Sequence, residues 1–145
     1  DVRLRTLDEL TEELEAEAVM TPDQQKRLKI RTLIICVSTY NGAPPDNAAQ
    51  FTAALNSRAS LRSGDLSHCE FAVFGSGNSN WMATYGKVPK QIDANLAALG
   101  AERIVPVTIG DEDLPSGVQV AFEAFSTLLW PMLGLPINLK NSCES

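Results

Sequence analysis

The chain has 145 residues, of which 44% are hydrophobic and 21% charged, the proportions of a single globular domain. Twelve lysines and arginines against 18 acidic residues give a formal charge of -6, so a phosphate backbone is repelled on average and nucleic acid is a poor partner. No stretch approaches the roughly 20 apolar residues of a membrane helix, and the N-terminus lacks the features of a signal peptide, so we expect a soluble, cytoplasmic protein.

The first half of the sequence alternates short apolar runs with helical patterns. Residues 2–6 are a strand candidate, and leucines at helical spacing among glutamates predict a helix over 7–19 with a solvated acidic face. The unbroken apolar run in RTLIICVS, residues 31–38, predicts a parallel strand that is buried on both faces. Asp46 is a suitable N-cap for a helix over 47–56.

The same alternation continues after residue 70. FAVF, residues 71–74, is the next buried strand. VPKQIDANLAALG, residues 88–100, predicts a helix that ends at Gly100 in a left-handed cap. RIVPVTI, residues 103–109, predicts a strand at the edge of the sheet, because Pro106 cannot donate to a ladder.

The last predicted element is a helix over residues 118–130, ended by Pro131. Four strands that are each followed by a helix predict an α/β fold with a doubly wound parallel sheet. Ligands bind such sheets outside the carboxyl ends of the strands. The loops at 38–45, 75–85 and 110–115 are therefore where we expect function.

The sequence lacks the motifs of several common classes of enzyme and nucleotide-binding protein. The sequence has no P-loop, no dinucleotide fingerprint and no nucleophile elbow. The acidic residues 111–113 have no neighbouring histidine in the sequence, which favours a solvated turn. His68 is interpreted as a solvated loop histidine, and the alternative is a small hydrolase that uses it with Ser38 or Ser76.

The cysteines indicate neither disulfides nor a zinc site. Cys36, Cys69 and Cys143 are odd in number and widely spaced, with no CxxC pair. We interpret them as free structural thiols in a reducing compartment.

The first two loops have the composition of a site for a planar heterocycle. STYNGAPP and GSGNSNWMATYG combine glycines with hydroxyl and amide side chains, which suit close approach to a flat ligand and bonding to its ring edge. Tyr40 and Trp81 follow different strands and could stack on the two faces of one ring. Each aromatic ring taken alone is equally well explained as a partly buried packing residue.

STYNGAPPDNAAQF, residues 38–51, and FAVFGSGNSNWMATYGKVP, residues 71–89, resemble the two flavin-ring loops of flavodoxin-like FMN domains in diflavin reductases. The short YNGAPPDN form is especially similar to the reductase part of self-sufficient cytochrome P-450 monooxygenase fusions. The resemblance implies one three-layer α/β/α domain over residues 1–145 that binds FMN. It also implies electron transfer from an FAD- and NADPH-binding reductase module to a heme monooxygenase or another one-electron acceptor, with enzyme activity only as part of a larger protein.

The resemblance also implies roles for individual residues. Tyr40 and Trp81 would stack on the two ring faces, and a backbone group near Gly42 would face the reactive ring nitrogen. The acidic residues 111–113 would supply tuning and docking charge. The complete predicted cofactor-binding set is Ser38, Thr39, Tyr40, Asn41, Gly42, Ser76, Gly77, Asn78, Asn80, Trp81, Thr84, Tyr85 and Gly86.

The family's phosphate site has no counterpart in the match. Flavodoxin-like domains begin with a central strand and a Ser/Thr/Gly-rich turn that holds the FMN phosphate at a helix N-terminus. Residues 2–6 would then be the second strand of the family order 2-1-3-4-5. We therefore expect an N-terminally truncated domain, without the first strand and helix and with reduced FMN affinity. It would be either a fragment of a longer polypeptide or a structure whose sheet has a gap or a rearranged register. The alternative is a truncated α/β module without flavin that acts only as a protein-interaction surface.

Overall fold

Helices and strands alternate along residues 2–28, 30–59 and 66–135, which the computed structural model describes. The helices in these ranges are α1 (Leu7–Ala18), α2 (Pro22–Lys26), α3 (Ala49–Ala59), α4 (Lys87–Ala98) and α5 (Gln119–Met132). The strands are β1 (Arg31–Ser38), β2 (Cys69–Gly77), β3 (Glu102–Arg103) and β4 (Thr108–Asp111). No helix within the described ranges is long and apolar enough to cross a bilayer.

The strands form a parallel sheet centred on β2. One edge of β2 pairs with β1 over eight residues, from Arg31 opposite Cys69 to Ser38 opposite Ser76. Its other edge pairs with β3 and then with β4. The predicted parallel α/β sheet is therefore confirmed.

Helices cover the two faces of β2. Residues of α1, α3 and α4 form the larger core with one face, whereas α5 packs on the opposite face. The larger core includes Leu10, Leu14, Leu33, Ile35, Val37, Phe51, Leu55, Phe71, Val73, Ile92 and Leu96. The smaller core is built from Ala72, Phe74, Val105, Phe125 and Leu129. This is the predicted three-layer α/β/α arrangement.

Strand β1 is buried on one face only, so the prediction of burial on both faces was wrong. Leu33, Ile35 and Val37 point into the larger core, whereas Ile34 is 41% exposed and Cys36 is exposed. The reason is the position of α5, which packs against β2 and β4. Among the described residues, no second helix extends that layer over β1.

Residues 2–6 do not form the predicted strand. The side chains of Val2 and Leu4 are almost fully exposed, and the segment ends at the N-cap of α1. The Thr6 hydroxyl accepts the Glu9 N–H, and the Glu9 carboxylate accepts the Thr6 N–H at 2.8 Å. This capping box fixes the start of the helix that the leucine spacing predicts.

The prediction that Asp46 caps the following helix was also wrong. Asp46–Ala48 is a short 3-10 turn without a side-chain cap, and α3 begins after it. The Phe51 N–H instead donates to the carboxylate of Asp8 in α1, at 2.8 Å. A residue more than 40 positions away in the sequence therefore takes the role assigned to Asp46.

Two prolines act differently from each other. Pro106 lies in the break that divides the predicted strand 103–109 into β3 and β4, and both pieces lie at the predicted edge of the sheet. Pro131 does not end α5, because the Leu133 N–H still reaches the Leu129 carbonyl at 3.2 Å. Gly134, with φ +70°, follows the last turn.

A buried ion network joins α1 to the sheet, which corrects two expectations. His68 is only 9% exposed, and its Nε2 lies 2.6 Å from a carboxylate oxygen of Glu17. Arg31 donates to Glu17 and, at 3.1 Å, to Glu13. His68 is therefore not a solvated loop residue, and the acidic face of α1 is not solvated throughout.

Glu17, His68 and Cys69 also place one potential metal ligand each within 4.8 Å of one another. A metal would need the Glu17 carboxylate, which Arg31 and His68 already engage. It would also need a thiolate, whereas burial above all, and then the Glu17 charge, raise the pKa of Cys69 to about 12. The ion-pair interpretation therefore fits the cluster better than a metal centre.

We predict that Glu17→Gln lowers the free energy of unfolding by about 3 kcal/mol, because it removes the largely buried carboxylate that Arg31 and His68 share and leaves Arg31 with Glu13 alone. Glu12→Gln, at an exposed position of the same helix, is the matched control and should change it by less than about 0.5 kcal/mol. Guanidinium denaturation of the variants measures both values. Equal stabilities would contradict the network's role.

The described cysteines, Cys36 and Cys69, are free thiols, whereas Cys143 lies outside the described residues. We predict that iodoacetamide at pH 8 modifies Cys36 in the folded protein and spares Cys69. With a pKa of about 12, only about one Cys69 in ten thousand is a thiolate at this pH. Partial desolvation of its thiol raises the pKa of the exposed Cys36 as well, so its modification should be slower than that of a free thiol. Peptide mass mapping before and after unfolding tests this, and labelling of folded Cys69 would contradict it.

Candidate functional site

The loop after β1 begins with a tight turn that displays Tyr40. The Tyr40 N–H donates to the Ala43 carbonyl at 3.0 Å, and the Ala43 N–H donates back at 2.9 Å. The two central residues, Asn41 and Gly42, have φ values of +50° and +76°. Positive φ at both positions is typical of a type I′ turn, for which Asn-Gly is the preferred sequence. The Tyr40 side chain is left 77% exposed.

The loop after β2 folds around the backbone of Trp81. The Trp81 N–H donates to the Asn78 carbonyl at 3.1 Å, and the Trp81 carbonyl accepts the N–H groups of Thr84 and Tyr85 at 3.0 and 2.9 Å. The Asn78 side chain accepts the Asn80 N–H at 2.9 Å, the Asx-type turn that asparagine favours. The Trp81 side chain is 67% exposed.

The two loops line a common pocket of about 170 Å³. Its lining consists of Thr39, Tyr40, Asn41, Gly77, Asn78, Trp81, Thr84, Tyr85 and Glu112. The structure thus brings together eight residues of the predicted cofactor-binding set, including both exposed aromatic rings. The described lining contains neither lysine nor arginine.

Glu112 was predicted to carry tuning or docking charge, and the structure also makes it part of the pocket wall. It follows β4, which pairs with β2 up to Gly77 opposite Asp111. The Glu112 N–H donates to the Gly77 carbonyl at 2.8 Å. The sequence had already placed this loop at the same sheet edge, but nothing in it distinguished Glu112 from its acidic neighbours.

Two of the predicted residues lie beside the pocket. Ser38 and Ser76, opposite each other in the ladder, line a separate cavity of about 430 Å³ on the side of α5. Phe74 and Phe122 form part of the apolar wall of that cavity. The two serines therefore lie at the strand ends from which the ring loops begin, outside the lining of the candidate pocket.

The remaining predicted residues hold the loops. Gly42 contacts Thr84, since a Cβ at position 42 would lie 2.9 Å from the Thr84 Cγ2 atom. Gly86 is the N-cap of α4, with φ +69°. The exposed Asn80 donates through its amide to Asp113 at 2.8 Å. These contacts are structural.

Thr39 and Tyr85 each have a second environment besides the pocket. The Thr39 hydroxyl accepts the N–H of Val88 in the first turn of α4 at 3.1 Å. Partial burial and then the charge of Asp111 raise the pKa of Tyr85, so the phenol is neutral at physiological pH. The Lys90 ammonium lies 5.9 Å from the centre of the Tyr85 ring, within cation–π range.

The hydrolase alternative fails on distance. Ser38 and Ser76 lie at the carboxyl ends of β1 and β2, whereas His68 directly precedes the start of β2. Eight residues of extended strand separate His68 from Ser76 by about 26 Å. His68 is moreover bonded to Glu17.

Comparison with known proteins identifies the family. Residues 5–125 match the family described as Flavodoxin. The chain belongs to the flavodoxin family. Its fold resembles that of a short-chain flavodoxin associated with a bacterial microcompartment, with a TM-score of 0.52 over 90% of this chain and 93% of that one. The sequence identity of 18% limits that likeness to the fold.

Relatives with similar sequences include P450 proteins. A self-sufficient cytochrome P450 monooxygenase of Phanerodontia chrysosporium is 43% identical over 101 residues, 70% of this chain and 9% of the relative. Bifunctional cytochrome P450/NADPH–P450 reductase 2 of Bacillus subtilis is 38% identical over 98 residues, 68% of this chain and 9% of the relative. The chain thus spans about a tenth of their length. The resemblance to the flavodoxin-like part of such fusions is confirmed.

We predict that Gly42→Ala destabilises the flavodoxin domain by about 2 kcal/mol, because it adds a contact with Thr84 to the strain of a positive φ. Gly134→Ala is the matched control, since its φ is +70° and a Cβ there meets nothing within 4 Å, and it should cost about 1 kcal/mol. Adding Thr84→Ser, which removes the Cγ2 atom, should recover about 1 kcal/mol as coupling in a double-mutant cycle. Additive effects, measured by chemical denaturation, would contradict contact between the two loops.

Proposed function

We propose that this chain is an FMN-binding electron-transfer domain. In this proposal it accepts electrons from an FAD- and NADPH-binding reductase module and passes them singly to a heme monooxygenase or a similar acceptor. Its membership of the flavodoxin family supports the flavin, and the names of its relatives, which join a cytochrome P450 to an NADPH–P450 reductase, support the partners.

The observation that carries the proposal is the arrangement of Tyr40 and Trp81. They come from different loops, line the same pocket and are 77% and 67% exposed. Large aromatic side chains are more stable in contact with another apolar surface than in water, so two exposed rings on one pocket favour a ligand between them. An isoalloxazine ring between them would bury both faces of the slot.

The pocket fits the ring part of FMN better than its phosphate. Aromatic side chains offer stacking surfaces, while the turn at Asn41 and the backbone around Gly77 and Asn78 offer hydrogen bonds to the polar edge of a heterocycle. The described lining contains no cation for a phosphate group. We therefore assign ring recognition to Tyr40 and Trp81 and leave the phosphate outside this pocket.

When bound, FMN supplies one-electron redox chemistry, which no protein side chain here provides. The contribution of the chain is to orient the ring and to exclude water from its faces. The Glu112 carboxylate at the wall adds negative charge, which disfavours a further negative charge nearby and so lowers the reduction potential of a bound flavin.

The acidic character of the chain suits such a role. A formal charge of -6 favours encounter with a basic face on the electron acceptor, and it affects the rate of association more than the affinity. Free thiols at Cys36 and Cys69 are consistent with the cytoplasm, where we place the protein.

The test is flavin binding, reported by the fluorescence of Trp81. The sequence has a second tryptophan, Trp130, so Trp130→Phe provides the background. We predict that FMN and riboflavin both quench the remaining tryptophan and bind with similar affinity, because the pocket contacts the ring. Tyr40→Ala should weaken both ligands about tenfold through lost stacking and burial.

Met82→Ala is the matched control, since Met82 is 87% exposed beside Trp81 and is not part of the pocket wall. It should leave both affinities unchanged. A protein that is quenched by neither ligand would remove the redox assignment, and the chain would then be a flavin-free α/β module for protein interaction. Much tighter binding of FMN than of riboflavin would show that a phosphate site exists elsewhere in the chain.

A further inference from the structure

The acidic loop after β4 is bonded to the loop that carries Trp81. One carboxylate oxygen of Asp111, Oδ1, accepts the Ser79 N–H and the Asp113 N–H, both at 3.0 Å. Asp113 in turn accepts the side-chain amide of Asn80 at 2.8 Å. Two consecutive residues before Trp81 are therefore held by carboxylates from another element.

The surroundings of Asp111 favour its charged form, which accepts hydrogen bonds. The Ser79 hydroxyl, first of all, and the N–H groups of Ser79 and Asp113 lower the pKa of Asp111, against partial burial, which raises it. Its carboxylate is consequently ionised throughout the physiological range. The negative charge on this acceptor strengthens the hydrogen bonds that it receives.

The position of Trp81 depends on this short segment. The Trp81 N–H donates to the Asn78 carbonyl, and the Asn78 side chain accepts the Asn80 N–H. These bonds are internal to the loop, so they shape the turn without fixing it to the rest of the protein. The Asp111 carboxylate attaches the turn at Ser79, beside the bond from Asn80 to Asp113. Because β4 pairs with β2 up to Asp111, the attachment through Asp111 leads directly to the sheet.

We infer that Asp111 is a positioning residue for the proposed flavin slot, which sets the place of Trp81 through Ser79. The inference rests on the proposed function for its ligand and revises the docking role expected for this residue. Its neighbour Glu112 lines the pocket and is the charge that a ligand there would meet. The two neighbouring carboxylates thus have different roles. Asp111 holds the loop that carries Trp81, and Glu112 supplies negative charge to the pocket.

The experiment compares Asp111→Ala with Asp111→Asn in the Trp130→Phe background. Asparagine keeps an oxygen that can accept both N–H groups but carries no charge, so it should retain riboflavin affinity within about threefold. Alanine removes the acceptor and should weaken riboflavin about tenfold. Glu102→Gln, which removes an exposed charge from β3 outside the pocket wall, should stay within about twofold of the parent for this uncharged ligand.

A second measurement does not depend on flavin. The fluorescence anisotropy decay of Trp81 in the ligand-free protein should show faster local motion in Asp111→Ala than in the parent or in Asp111→Asn. Ser79→Ala, which leaves every charge in place and removes one donor, should shift the decay in the same direction by a smaller amount. The anisotropy decay of Ser79→Ala tests the inference if Asp111→Ala fails to fold.

The outcomes separate the two proposals. If the parent binds neither riboflavin nor FMN, the proposed function fails, and the anisotropy series still decides whether Asp111 holds the loop. If the parent binds but Asp111→Asn is as weak as Asp111→Ala, with Trp81 motion unchanged, Asp111 acts through its charge and the positioning role is overturned. Unchanged motion in both Asp111→Ala and Ser79→Ala would overturn it as well.

Discussion

The register of β1 against β2 is the constraint on which the candidate site depends. Ser38 lies opposite Ser76 in a parallel ladder, so both strands end at the same level and the loops that follow leave the sheet side by side. The Thr39 N–H continues the ladder by donating to the Ser76 carbonyl at 3.2 Å. A shift of one residue would exchange the core and solvent faces of β1 and would separate Tyr40 from Trp81. The buried residues of β1 thus specify the site, although none of them lines it.

The sheet brings the loops together, but contacts between loops give the slot its shape. Gly42 lies against Thr84, and the Thr39 hydroxyl accepts an N–H from the first turn of α4. Glu112 is bonded through its backbone to Gly77. Three segments that are far apart in the sequence therefore support one another around the pocket. Because the loops support one another, the backbones at Tyr40 and Trp81 have fixed positions while both side chains remain exposed.

Local rules predicted what local interactions decide. The helix α4 and the edge position of the strand interrupted by Pro106 both follow from short sequence patterns. Two of the errors occurred where a distant residue decides the outcome. Asp8 replaces Asp46 as the hydrogen-bond acceptor at the start of α3. His68 is buried and bonded to Glu17, whereas the sequence predicted a solvated side chain. Neither partner can be read from spacing, because each pairing depends on how α1 packs against the rest of the fold.

The site shows the same division. Sequence patterns place glycines, amides and aromatics after the strands, because backbone approach and stacking require those residue types. They cannot distinguish a carboxylate that holds a loop from one that faces a ligand, since both occur in a single acidic run. Only the geometry separates them, through the N–H groups that converge on Asp111 and the pocket wall that includes Glu112. Charge near the pocket therefore has to be assigned residue by residue, because part of the acidity of this loop bonds the loop that carries Trp81.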